Sequence, residues 1–134
     1  FAPLAEMLDD LRSAVAPDCV VDAYSDLMGF MAFWKNAVSI EAPGLEDRVG
    51  GHADISESSE MLCIRPDLVH ESRAERGHVQ DFDEELAERI FRDGFRTVTP
   101  NGILGDARGM SADIGERCIA SAADGIAAAL DASD

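Results

Sequence analysis

The chain has 134 residues, with 27 acidic side chains against 11 basic ones and a formal net charge of -16. That length is one ordinary domain, and 46% hydrophobic residues suffice for a core, which excludes a disordered chain. The charge excludes nucleic acid and anionic membranes as partners, because both would be repelled. No apolar run approaches the roughly 20 residues that cross a bilayer, and no basic-then-apolar leader opens the chain. The reading is a soluble, cytoplasmic protein. The acids are dispersed and Lys35 is the single lysine, a pattern of proteins that work in concentrated salt, where screening removes self-repulsion. An ordinary acidic enzyme is the plainer alternative.

In chain order, Leu4, Met7, Leu8, Leu11 and Val15 recur at helical spacing, with Pro3 suited to the first turn and Pro17-Asp18 as the stop. No residue precedes Phe1 to cap that helix, so the chain reads as the continuation of something longer. "CVVDAY" (19–24) reads as a strand. The apolar stretch 25–38 holds the only tryptophan, Trp34, and 41–51 reads as a loop from its Pro and Gly content. Ser56 is the predicted cap of a helix running to about Arg65, which Pro66 ends. Residues 67–80 are polar and irregular. A helix over 81–94 turns Leu86, Ile90 and Phe91 to one face and stops at Gly94. "FRTVTP" (95–100) reads as a second strand and 101–110 as a glycine-rich loop. Ser111 caps a last helix, with Ile114, Cys118, Ala122, Ile126 and Leu130 four apart. Helices alternating with β-like runs predict an α/β layer with a parallel sheet. Two strands make a poor sheet alone, which again points to fold outside this chain. Cys19, Cys63 and Cys118 are far apart and lack a CxxC, so they read as buried free thiols.

The segment "GGHADISESSEML" (50–62) carries the densest chemistry. His52 follows two glycines, and Glu57 falls in the first turn of a helix, whose dipole favours the carboxylate. Together they form an acid/base pair or two metal ligands, or else a solvated loop histidine and a helix-start glutamate. Asp54 is a partner for His52 or a turn residue. Trp34 is a stacking wall for a flat ligand or part of the core. "NGILGDARGMS" has three glycines before a helix and no lysine, which favours a structural turn over an anion cradle. His70 and His78 have no ligand-like neighbours at useful spacing and are assigned to the surface.

Three segments resemble the creatininase family of metal-dependent amidohydrolases. "GGHADISESSEMLCIRPDLV" is similar to its His-Ala/Gly-Gly-x-x-Glu-Thr-Ser block and the Arg-Pro-Asp-Leu-Val that follows. "NGILGDARGMSADIGE" is similar to its Gly-Val-x-Gly-Asp-Pro-x-x-Ala-Ser block. "FAPLAEML" resembles the helix after its Gly-His-Gly-Gly-Asn metal segment. The resemblance implies a three-layer fold with a mostly parallel sheet, of which residues 1–134 supply the C-terminal half. It implies a divalent metal (Zn, Mn or Fe) held mainly by residues of an absent N-terminal half, which is then the missing partner. A homo-oligomer, with a hexamer among its forms, and a small-molecule amide substrate follow from it too.

The implied reaction is hydrolysis of a non-peptide C–N bond by metal-activated water. His52 shuttles the proton to the leaving nitrogen, while Glu57 touches the metal or orients the water. Trp34, Arg48 and Asp54 are the implied substrate-side residues. Creatininase proper has a tryptophan where Arg48 stands, and an arginine suits a carboxylate or phosphate. The chain therefore resembles the archaeal formamide deformylase-like members more than creatininase proper. The alternative is a non-catalytic assembly or ligand-binding module that keeps this half of the fold.

Overall fold

The structure, a computed structural model, describes residues 2–80 and 82–132. The sequence readings placed on Phe1 and Asp81 lie outside them. The chain is α/β. Its helices are α1 (Ala2–Ala14), α2 (Leu27–Glu41), α3 (Ile55–Ile64), α4 (Glu84–Asp93) and α5 (Ala112–Asp131). Two short strands, β1 (Val49–His52) and β2 (Leu104–Gly105), form one sheet. β1 and β2 pair antiparallel, and the parallel pairing among the described residues is a single bridge between His78 and Leu104, so the mostly parallel sheet is not shown.

Neither predicted strand forms. Residues 19–24 have no strand partner, and Val20 is left 80% exposed; an extended run with nothing to pair with has no ladder to join. Residues 95–100 instead make a 3-10 turn over Phe95–Thr97, closed by the Thr97 hydroxyl donating to the Gly94 carbonyl at 2.7 Å. The real strands sit where glycines read as loop. Glycine has low β propensity, yet here it is required by close approach. A Cβ on Gly50 would stand 2.5 Å from the Gly105 nitrogen, so only glycine lets β1 and β2 meet. A third segment completes the pairing. Gly105 N donates to the His78 carbonyl at 2.7 Å, and His78 N donates to the Ile103 carbonyl at 3.0 Å.

The helices follow their apolar periodicity more closely. On α5, Ile114, Cys118 and Ala122 are buried and Ser111 caps the helix, accepting from the Ile114 amide at 3.2 Å. The helix stacks on α2 and α3. Ser121 donates to the Phe33 carbonyl, Ser111 N donates to the Ser59 hydroxyl at 3.1 Å, and Arg117 pairs with Glu41. Around that crossing the main core forms from Met31, Trp34, Ala37, Val38, Val49, Ile55, Ile114 and Cys118. Ile55 is fully buried, a burial that contributes about 1.5–3 kcal/mol. A second cluster joins Leu86, Ile90, Val98 and Leu104, with Phe82 packed against both clusters.

Four assignments change. Phe91, predicted on the inner face of α4, is 89% exposed, because the buried stripe runs through Leu86 and Ile90 alone. Cys118 is buried, and its burial pushes the thiol up to about 12, but Cys19 and Cys63 are exposed. His70 is exposed as predicted, whereas His78 is half-buried beside β2. The cap of α3 is Asp54, not Ser56.

Candidate active site

The loop between β1 and α3 is built around one carboxylate. Asp54 is fully buried and accepts from five donors. Its Oδ1 takes the amides of Ser56 (2.8 Å) and Glu57 (3.1 Å) and the Ser56 hydroxyl (2.6 Å). Its Oδ2 takes the amides of Gly50 (2.7 Å) and Gly51 (2.8 Å). The first set caps α3 and satisfies donors that a helix start leaves open. The second ties the strand to the same atom pair. Asp54 thus fixes where β1 ends and α3 begins. Both of its oxygens are engaged by donors of the loop, and it does not line the cleft that Glu57 and Trp34 border.

The strand register shifts between Val49 and His52, a bulge that accompanies Gly51 at φ +96°. Ala53 then sits at φ +52°, the left-handed region that a non-glycine residue enters at a cost. The Ala53 amide donates to Glu57 Oε2 at 2.6 Å, which holds that conformation. These distortions bring the His52 ring back over the helix start. Its Nδ1 stands 3.4 Å from Glu57 Oε2, and its ring meets Phe95 edge-on at 5.1 Å. The sequence-predicted pair is therefore brought together, half-exposed, at the N-terminus of α3.

Glu57 also lines a cleft of about 350 Å³, with Trp34, Gly51 and the apolar side chains of Leu27, Phe30, Met31 and Phe82. That size suits a small ligand. Trp34 is 7% exposed and so belongs to the core and to the cleft wall at once. Phe30 packs edge-on against it at 4.8 Å between ring centroids, and its indole N–H donates to Glu60 Oε1 at 2.7 Å. Burial raises the Glu60 carboxyl above its ordinary value, and the bond from Trp34 opposes this.

Arg48 is placed elsewhere. Its Nη1 donates to the Arg108 carbonyl at 2.5 Å and its Nε lies 4.0 Å from Asp106. The guanidinium latches the 106–109 turn to β1 and does not line the cleft. That turn is the structural element that its glycines suggested. Asp106 is nearly buried and is held by Arg108, which lowers its carboxyl below the ordinary value.

Phe30, Glu60, Phe82 and Phe95 complete the site without having stood out in the sequence. Only Glu60 had a local signal, its i+3 spacing from Glu57. A polar groove of about 480 Å³ between α2 and α5, bordered by Glu41, Asp113, Glu116 and Arg117, contains none of the predicted site residues.

Among the described residues no three His, Cys, Asp or Glu side chains converge on a common point. His52 and Glu57 are two donors, and a divalent site ordinarily takes three or more from protein. These residues alone do not fit a metal centre. No helix among the described residues is long and apolar enough to cross a membrane.

A family model described as "Creatininase: Creatinine amidohydrolase" matches residues 1–130. No significant match was found among curated proteins or among solved structures.

Proposed function

The chain belongs to the creatininase family, and on that premise we propose that it carries the proton-transfer side of an amidohydrolase acting on a cyclic amide or a formamide. Families of this kind work with divalent metal ions. The two donors at His52 and Glu57 do not make such a centre, so the reading assigns its remaining ligands to residues outside this chain. It includes the family's three-layer architecture for the whole enzyme, its assembly as a homo-oligomer and, from the charge of -16, work in concentrated salt.

One observation carries the proposal: His52 faces Glu57 at 3.4 Å beside a cleft that Glu57 and Trp34 both line. Glu57 holds the imidazole through Nδ1, which leaves Nε2 for the substrate. When the C–N bond breaks, the departing nitrogen takes a proton from that atom. The Glu57 carboxylate stabilises the imidazolium before transfer and fixes the ring's direction. The cleft's apolar walls hold the organic part of the amide and keep water from it. Arg48 has no role in this scheme, so an anionic substrate group finds no support from it.

The test is hydrolysis of a panel of formamides and cyclic amides by the metal-loaded complex of this chain with the segment that supplies the remaining ligands, and by the same complex carrying His52→Ala. A loss of at least about a hundredfold is expected, the size of a general acid's contribution. A variant within a few-fold of wild type sinks the assignment. The assembly reading has one observation in its favour, the exposed apolar side chains Leu4, Met7 and Leu11 on α1. Stoichiometric divalent metal in the purified complex would count against it.

A further inference from the structure

Glu57 and Glu60 stand three residues apart on α3 and so share one helix face. Glu57 turns to His52. Glu60 reaches across to α2, where its Oε1 accepts the Trp34 indole N–H at 2.7 Å. An indole has a single N–H and no acceptor, so this bond sets which way the ring points. Phe30 closes on the same ring edge-on. The ring so fixed is a wall of the cleft that Glu57 also lines.

Filling a core does not require a carboxylate here. Burial works against Glu60's charge, and so do Glu57 and Asp54, the neighbouring carboxylates. An acid kept at such a place earns explanation by what it holds. We propose that Glu60 is a positioning residue of the cleft, tethering Trp34 to α3 so that the aromatic wall and Glu57 keep one fixed relation when a ligand enters. The role rests on the cleft being the substrate site, and it adds to that reading a residue that touches neither substrate nor His52. It also explains why α3 is pinned at its start by Asp54: one rigid helix carries both the reactive carboxylate and the anchor of the wall.

Trp34 is the only tryptophan, so its indole N–H gives one resonance in a nitrogen-correlated spectrum and its emission is unmixed. The first measurement is hydrogen exchange of that N–H in the wild-type protein. Slow exchange is expected, and exchange as fast as in free tryptophan overturns the tether. This needs no variant and stands even where a substitution fails to fold. The second is a titration with formanilide, a small aromatic formamide, followed by Trp34 emission. Glu60→Leu is expected to weaken binding about fivefold, the worth of one hydrogen bond, and to shift the emission. Glu60→Gln keeps an acceptor and is expected to stay within about twofold. Unchanged binding in Glu60→Leu overturns the role, and so does an equal loss in both variants, which would mark a charge effect. A wild-type protein that ignores formanilide overturns the substrate-site reading and with it the purpose of the tether, while the exchange experiment separately reports whether the tether exists.

Discussion

His52 Nδ1 and Glu57 Oε2 lie 3.4 Å apart, and the same Glu57 oxygen accepts the Ala53 amide at 2.6 Å. One atom therefore serves both the imidazole and the backbone that carries it. This separates two substitutions. Glu57→Gln keeps an acceptor for Ala53 but removes the charge that supports an imidazolium, so folding stability should hold within about 1 kcal/mol. Hydrolysis should fall by roughly ten- to a hundredfold, mostly in kcat. Glu57→Ala also frees Ala53 from its left-handed conformation, and amide exchange at residues 52–54 should quicken. Chemical denaturation beside steady-state kinetics decides the matter. A Gln variant with full activity would show that the charge is idle.

The five donors gathered on Asp54 make it the most sensitive polar position in the loop. Asp54→Ala leaves buried amides at Gly50 and Ser56 and half-buried ones at Gly51 and Glu57 without an acceptor. The expected cost is about 3–5 kcal/mol, well above the ~1 kcal/mol of an ordinary cap, because strand and helix are released together. Asp54→Asn keeps one accepting oxygen and should fall between. Urea unfolding measures both, and a loss near 1 kcal/mol for Asp54→Ala would mean that water replaces most of these bonds.

Much of this was legible in the chain. The stripe Ile114, Cys118, Ala122 gave α5, and the pair His52 and Glu57 was readable because loop and helix start are contiguous. What failed depends on partners distant in sequence. Gly50 and Gly105 look like loop residues until each is seen to make room for the other's backbone. Asp54 carried a cap signal in the Glu57 three residues on, but its grip on β1 is silent in a one-dimensional pattern. The contacts of Arg48 with Asp106 and the Arg108 carbonyl are likewise made across a long stretch of chain and leave no mark in the local pattern. The acceptor role of Glu60 spans 26 residues to Trp34 and leaves no local mark of that partner.

Gly115 tests the helix crossing beneath the site. It is buried where α5 meets α3, and an added Cβ would collide with the Ser59 carbonyl and crowd the Glu60 amide. Helix propensity favours alanine by about 1 kcal/mol. Overpacking should outweigh that gain, leaving Gly115→Ala destabilised by about 1–3 kcal/mol. Because α3 would be displaced, Trp34 emission should change as well. A more stable Gly115→Ala, measured by thermal unfolding, would show that the two helices have room to part.

Asp106 sets the behaviour in acid. Its carboxylate receives Arg108 through Nη2 at 2.6 Å and Nε at 2.9 Å, and the Arg108 amide at 3.0 Å. The Arg108 bonds hold its pKa below the ordinary 3.8, with burial opposing them. A carboxyl with a lowered folded value binds fewer protons in the native state than in the unfolded one. Stability from it is complete above the ordinary aspartate range and is lost as pH falls through the lowered value. Asp106→Asn should be less stable than wild type at neutral pH, and the gap should close as pH falls below the ordinary aspartate range. The Asp106 amide also donates to the Arg48 carbonyl at 2.9 Å, next to the strand that ends in His52. Protonation should therefore loosen β1, and amide exchange at Gly50 should rise over the same acid range. Urea unfolding at a series of pH values tests this; parallel curves for the two proteins would remove Asp106 as the acid-sensitive group.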